Sequence, residues 1–520
     1  MLCTNCQCSL TSSLNTSIDT IPFPVPELLT SNDPPDEQQL GSIQDAVSRA
    51  RTNIQLLDDA IAPLQRRILA LQAKRASLQR CVDESAAIHM RRLPIEVLEE
   101  IFMFSVPRYP TVTDYSVAPL LLGQVCRLWR EVSRTTPMLW SVLRLTEPNH
   151  PELFERLVQW FERSGDCSLD LRYDLDWSED PADRESTPAW DMVLGCSYRI
   201  EHLDAQFACD MLVPLIPSDG SHTLTRLRSL RAEQPYATGE SQDYPGMYWL
   251  KERAPHLSAC HMISIVPDRF ALPSAQLTAC TLDLVPIADF ARFLLEAVNL
   301  VDCTVDITRG SARDAPFVRH TKLEKFTLNS PLRQPDQTLC IIFTCLELPS
   351  LNNLTWITRL RDPLSEDGAV EVQDDFLSFI RRSRCTLSRL CIPSGLYEDT
   401  ILQLLPIVPH LVELAVAPLP RYACPHRLMR ALTFAADREP LVRNLECLLL
   451  IGRSSACDCA GRYMLRAIES RFEPLGNDYP GGSQLKKLSL SSDLVASFPI
   501  RSQFREKLNR YAERGLFYTV

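Results

Sequence analysis

A frame of three apolar residues, spaced as in LxxLxL, constrains this chain more than any other feature because it keeps returning. Copies begin at Ile200, Leu227, Leu257, Leu277, Leu300, Leu323, Leu351, Leu387, Leu411, Leu445 and Leu485, so successive strides are 27, 30, 20, 23, 23, 28, 36, 24, 34 and 40 residues. One copy alone is weak evidence, since three apolar residues fall into this frame by chance roughly once per dozen positions. The recurrence is what carries the inference. Where leucine is missing from the middle position, Cys260, Cys280 and Cys303 replace it, and a thiol fills the same small apolar slot. Each copy predicts a short strand. Residues two apart share a face, so Phe326 and Leu328 go inward together while Lys325 and Thr327 go outward. The segments between copies would carry the chain back to start the next strand beside the last, which gives a parallel sheet and an α/β fold class. The longer late strides imply insertions. The alternative is a compact α/β domain with ordinary strands.

Composition narrows the class. The chain has 520 residues, 45% hydrophobic and 23% charged, which is ordinary globular material with room for about three domains. Its formal net charge of -11 argues against nonspecific nucleic-acid binding, and a run such as Arg381-Arg382-Ser383-Arg384 reads as a solvated edge. No basic segment followed by an apolar run indicates a secretory signal. The most apolar window, Ile401 to Leu419, holds Pro406, Pro409, Pro418, His410 and Glu413, which no bilayer would accept cheaply. Nineteen cysteines without regular spacing then read as reduced thiols of a cytoplasmic or nuclear protein.

Residues 1–37 are rich in Ser, Thr, Pro and Asn and read as a flexible tail, with Cys3, Cys6 and Cys8 lacking the partners of a closed zinc site. Residues 38–88 switch to heptad spacing. Val47, Ile54, Ile61, Ile68 and Val82 occupy a positions and Leu57, Leu64, Leu71 and Leu78 occupy d positions, with Arg75 the one break in the seam, a pattern that favours a parallel two-stranded coiled coil. Pro63 is expected to kink or split this helix near Ala62. The stripe either pairs with a second copy or braces the chain's own later domain.

Residues 89–145 form the next segment. Leu93-Pro94-Ile95-Glu96-Val97-Leu98-Glu99-Glu100-Ile101-Phe102 is followed by Val125-Cys126-Arg127-Leu128-Trp129-Arg130 and then by Pro137-Met138-Leu139-Trp140. Pro94 suits a first helical turn, and Ile95, Leu98, Ile101 and Phe102 then share a face. This stretch resembles an F-box. The resemblance implies a compact helical unit that docks a Skp-type adaptor, and through it a cullin, by way of Leu93, Pro94, Ile95, Leu98, Ile101, Phe102, Val125, Cys126 and Trp129. One departure is the connection Val106 to Tyr115, longer than the family's, which would reshape docking. The wider arrangement resembles the F-box proteins of mushroom-forming fungi: a heptad helix before the box, a linker helix and first strand over 146–199, and a curved leucine-rich repeat-like solenoid over 200–520. Phe504, Leu508 and Tyr511, stopped by Gly515, would form its C-terminal cap.

Catalytic signatures are missing from the sequence. It contains no GxxxxGK[ST], GxSxG or HExxH pattern, and the groupings His256/Cys260/His261, Cys424/His426 and Cys457/Cys459 lack paired zinc spacing. The sequence thus predicts no enzyme, cofactor or metal. The activity left is binding: Lys325, Thr327, Asn329, Asn353, Thr355, Arg389, Glu413, Lys487 and Ser489 would make a polar wall on the concave sheet face, able to hold a target protein. The expected function is substrate recognition for a Skp-cullin-F-box ubiquitin ligase. The alternative is a coiled-coil and repeat scaffold with no ligase role.

Overall fold

The computed structural model describes residues 21–30, 33–90, 92–146, 151–174, 188–206, 224–233, 250–263, 272–308, 315–330, 335–358, 366–419, 426–434, 441–450, 458–472, 483–490 and 501–519. The chain divides into two units, Met1–Leu98 and Glu99–Val520. Cys3, Cys6, Cys8, Cys424 and Cys457 lie outside the described residues.

In the first unit the helix α1 spans Glu37–Met90. Its start follows from a reciprocal cap. Asp36 accepts from the Gln39 backbone N–H at 2.7 Å, while the Gln39 side chain accepts from the Asp36 N–H at 3.1 Å, so two orphan donors of the first turn are satisfied together. The expected split at Pro63 does not occur, because the helix runs through it as one element. A proline removes a single N–H, and in a helix of 54 residues the turns on either side keep their own bonds. The heptad residues Val47, Ile54, Leu57, Ile61, Leu64, Ile68, Leu71, Leu78 and Val82 are all exposed.

The second unit is built on a 14-stranded sheet whose strands follow one another in chain order. It opens with β1 (Val142–Leu145), β2 (Leu169–Asp174), β3 (Ile200–Gln206), β4 (Ser229–Glu233) and β5 (Ala259–Ile263). All neighbours pair parallel, and the middle frame positions stand in register as one row: Leu143, Leu171, Leu203, Leu230, Cys260, Cys280, Cys303, Phe326, Leu354, Leu390, Leu414, Leu448 and Leu488. Every member is buried, as are the first and third residues of all eleven copies. Burial pushes the Cys280 and Cys303 thiols well above their ordinary pKa, so these cysteines behave as small core residues.

The turns between strands repeat the same bond pattern. The two N–H groups that open a strand donate to one carbonyl of the preceding turn. Asn352 and Asn353 share Glu324, Ser388 and Arg389 share Asn352, Val412 and Glu413 share Ser388, and Lys486 and Lys487 share Glu446. The helices that return the chain pack on the apolar side. Phe290 of the helix Ile287–Glu296 stacks on Phe326 at 6.2 Å. Phe343 of the helix Pro335–Cys345 meets Trp356, Phe376 and Phe379 at 5.1, 5.3 and 5.7 Å. Such rings bury the largest apolar areas and anchor one layer to the next.

Two features differ from expectation. The sheet begins at Val142, inside the segment read as helical, and the C-terminal helix does not end it. The helix Arg501–Ala512 does bury Phe504, Leu508 and Tyr511. Gly515 then takes a positive φ of 100°, which an L side chain tolerates poorly, and the reversal lets Phe517–Thr519 add another parallel strand beside Lys487–Leu490. Among the described residues, no helix is long and apolar enough to cross a membrane.

Candidate functional site

Two surfaces carry the residues singled out by the sequence. The first is helical. The residues named for adaptor docking fall on α2 (Ile95–Ser105), α3 (Leu122–Val125), α4 (Arg127–Thr135) and the residues that precede α2 and α4. In the first unit, Leu93 is half-buried, Pro94 and Ile95 are exposed, and Leu98 is fully buried. In the second, Phe102 is also fully buried and its ring meets Trp129 edge-on at 4.8 Å. Leu98 and Phe102 therefore offer no surface. An apolar stripe one helix face wide is wider than the contact that buries it, so period alone could not tell which members turn inward.

Exposed in the second unit are Ile101, Val125, Leu128 and, at 88%, Phe104, together with Leu121 and Met138. Cys126 is exposed too and sits in extended backbone as the N-cap of α4, its sulfur accepting from the Trp129 N–H at 3.5 Å. The frame beneath is tied by polar bonds. Trp140 donates its indole N–H to the Ser133 carbonyl at 2.7 Å, and Thr136 donates to Val132 at 2.8 Å. This arrangement leaves a set of apolar side chains exposed to water on a base tied by hydrogen bonds.

The long connection Val106 to Tyr115 runs to the start of the sheet. The Pro110 carbonyl accepts from the Arg144 backbone N–H of β1 at 2.8 Å, so it satisfies part of an edge that would otherwise be open to pairing. Tyr109 lies within 5.6 Å of both the Arg108 and Arg172 guanidinium groups.

The second surface is the polar face of the sheet. Lys325, Asn353, Arg389, Glu413 and Lys487 lie in one register row, with Asp302 and Cys447 in the same row. Thr327, Thr355 and Ser489 lie in the next, which runs from Arg144, Arg172, Asp204, Arg231 and His261 through Thr281 and Thr304. Asn329 stands one step further along its strand, opposite Ile357. All nine polar residues are exposed or half-exposed. Three of them pair within the first row: Arg389 with Glu413 at 2.7 Å, and Lys325 with Asp302 at 3.2 Å.

Sequence reading missed the charged end of this face. Asp174 takes Arg144 at 2.6 Å and Arg172 at 2.9 Å, and Asp204 lies 3.9 Å from Arg172 and 3.6 Å from Arg231. Burial pushes the Asp170 carboxyl above its ordinary pKa despite His202 and Arg108 nearby. The signal was present in the alternation Leu169-Asp170-Leu171-Arg172-Tyr173. No group of three or more His, Cys, Asp or Glu among the described residues is placed to hold a metal ion. Comparison with protein-family models and with curated proteins finds no match to this chain.

Proposed function

We propose that this chain is the substrate-selecting subunit of a Skp-cullin-F-box ubiquitin ligase. Residues 89–145 act as the F-box, and residues 200–520, with the strands that precede them, act as a leucine-rich repeat-like solenoid whose polar rows hold a target protein. The chain performs no chemistry itself. It raises the local concentration of a charged ubiquitin-conjugating enzyme beside a target lysine. The observation that carries the reading is the exposure of Ile101 and Val125 on the short helices that bear the Leu-Pro and Val-Cys-x-x-Trp-Arg pattern.

A pull-down of the full chain with a purified Skp-type adaptor tests it. Wild-type protein is expected to capture the adaptor, and Ile101→Asp with Val125→Asp to lose capture at least about tenfold, since a charge placed in an apolar contact is costly to desolvate. Both positions are exposed, so the melting temperature should not move. Failure of the wild type to bind would leave the scaffold reading in its place.

The seam of α1 belongs to the same proposal. Its β-branched a positions, leucine d positions and continuous exposure fit a second copy of this helix. Sedimentation of the full chain should give a dimer mass, and replacing Ile54, Ile61 and Ile68 by Lys should give a monomer. A monomeric wild type would remove the dimer.

A further inference from the structure

A cleft of about 220 Å³ in the second unit is lined by four arginines, Arg130 and Arg134 from α4 and Arg156 and Arg163 from α5 (Pro151–Arg163), against the indoles of Trp140 and Trp160. None of its described lining residues is acidic. Arg130 and Arg134 stand four apart on one helix face, a spacing at which like charges destabilise a helix. Neutral groups fix the guanidinium positions. Arg130 donates to the Gly123 carbonyl at 2.7 Å, Arg163 donates to the Gln159 side chain at 3.2 Å and lies 4.5 Å over the Trp140 ring, and Arg156 lies 5.3 Å over the Tyr115 ring. Among the described residues, Arg130, Arg134 and Arg163 pair with no carboxylate.

The wall of the cleft holds one unpaired polar atom. Trp160 is 2% exposed and its indole Nε1 has no hydrogen-bond partner, although a buried indole N–H ordinarily finds one. The cleft thus gathers the guanidinium forks of Arg130, Arg134 and Arg163, from two helices, none of them in a salt bridge to a carboxylate among the described residues. Burial and the neighbouring Arg134 charge also lower the Arg163 pKa, against the opposing pull of Glu162.

We propose that this cleft binds a phosphate monoester, its phosphoryl group among Arg130, Arg134 and Arg163 and its short organic group against the tryptophans. A single carboxylate lies in one plane and fits one guanidinium fork. A phosphoryl dianion presents three oxygens in a tetrahedron and can take forks arriving from two helices. The volume lies below the range of drug-sized sites, which limits the organic part to a small group. This inference is independent of the ligase reading, and its test involves no adaptor.

Calorimetric titration of the full chain with phenyl phosphate, inorganic phosphate and benzoate at fixed ionic strength provides the test. Phenyl phosphate should bind saturably at one site per chain, at least tenfold tighter than benzoate and more tightly than inorganic phosphate. Arg134→Gln and Arg163→Gln should each weaken it about tenfold, while Arg134→Lys, which keeps the charge but not the fork, should lose less. Arg134 is exposed, so its variants should keep the wild-type circular dichroism and melting temperature. Absence of saturable binding, equal binding of benzoate or phosphate, or binding unchanged in Arg134→Gln would overturn the proposal.

Discussion

Leu414→Ala is expected to lower the free energy of unfolding by about 2–5 kcal/mol, and Thr327→Ala by no more than about 0.5 kcal/mol. The two positions belong to the same sheet and differ in the face they occupy. Leu414 is fully buried in the row that runs between Leu390 and Leu448, so its truncation removes apolar transfer energy and leaves a cavity that its in-register neighbours cannot fill. Thr327 lies in the polar row between Thr304 and Thr355, where water replaces a lost methyl or hydroxyl contact. Phe343→Ala should be at least as severe, about 3–5 kcal/mol, because three aromatic rings lean on it. Urea unfolding with an unchanged m value checks all three. A loss under about 1 kcal/mol at Leu414 would mean that this row is not the core.

The sheet was legible because its signal is redundant. Eleven copies of one frame need only agree in phase, and the cost of a one-residue slip, which would turn every leucine to solvent, makes that phase unambiguous. The start of the sheet was not legible for the opposite reason. Trp140-Ser141-Val142-Leu143-Arg144-Leu145 is itself a copy of the frame, with Trp140, Leu143 and Leu145 buried, but the same Leu139-Trp140 pair also completes the helical pattern before it. One residue there serves two elements, and a linear reading assigns it to one. The polar rows followed from alternation. The arginine cleft did not, since Arg130, Arg134, Arg156 and Arg163 converge only once two helices have packed.

A set of arginines on the helix side was equally invisible in sequence, and it supplies the second large effect. Arg471→Met is expected to destabilise the protein by about 3 kcal/mol, with Arg471→Lys recovering part of the loss. Arg471, near the end of the helix Asp458–Phe472, donates to the carbonyls of Val442, Leu432 and Leu445 at 2.9, 3.3 and 3.3 Å and lies 4.6 Å over the Phe434 ring. Leu432 ends the previous helix, so the guanidinium caps a carbonyl that has no partner of its own in that helix. The device recurs. Arg199 donates to Cys167 at 3.1 Å, Arg382 to Leu346 at 2.9 Å and Arg514 to Phe472 at 2.8 Å, each reaching from one layer to the turn of the layer before it. Burial pulls the Arg471 pKa down to about 10, while the hydrogen bonds of its guanidinium reach backbone carbonyls. Methionine would keep the apolar stem and leave the three acceptors unpaired, whereas lysine would bring a point charge without the planar fork that spans them. Urea midpoints for the wild type and both variants decide the matter, and a Met variant as stable as the wild type would show that water already satisfies those carbonyls.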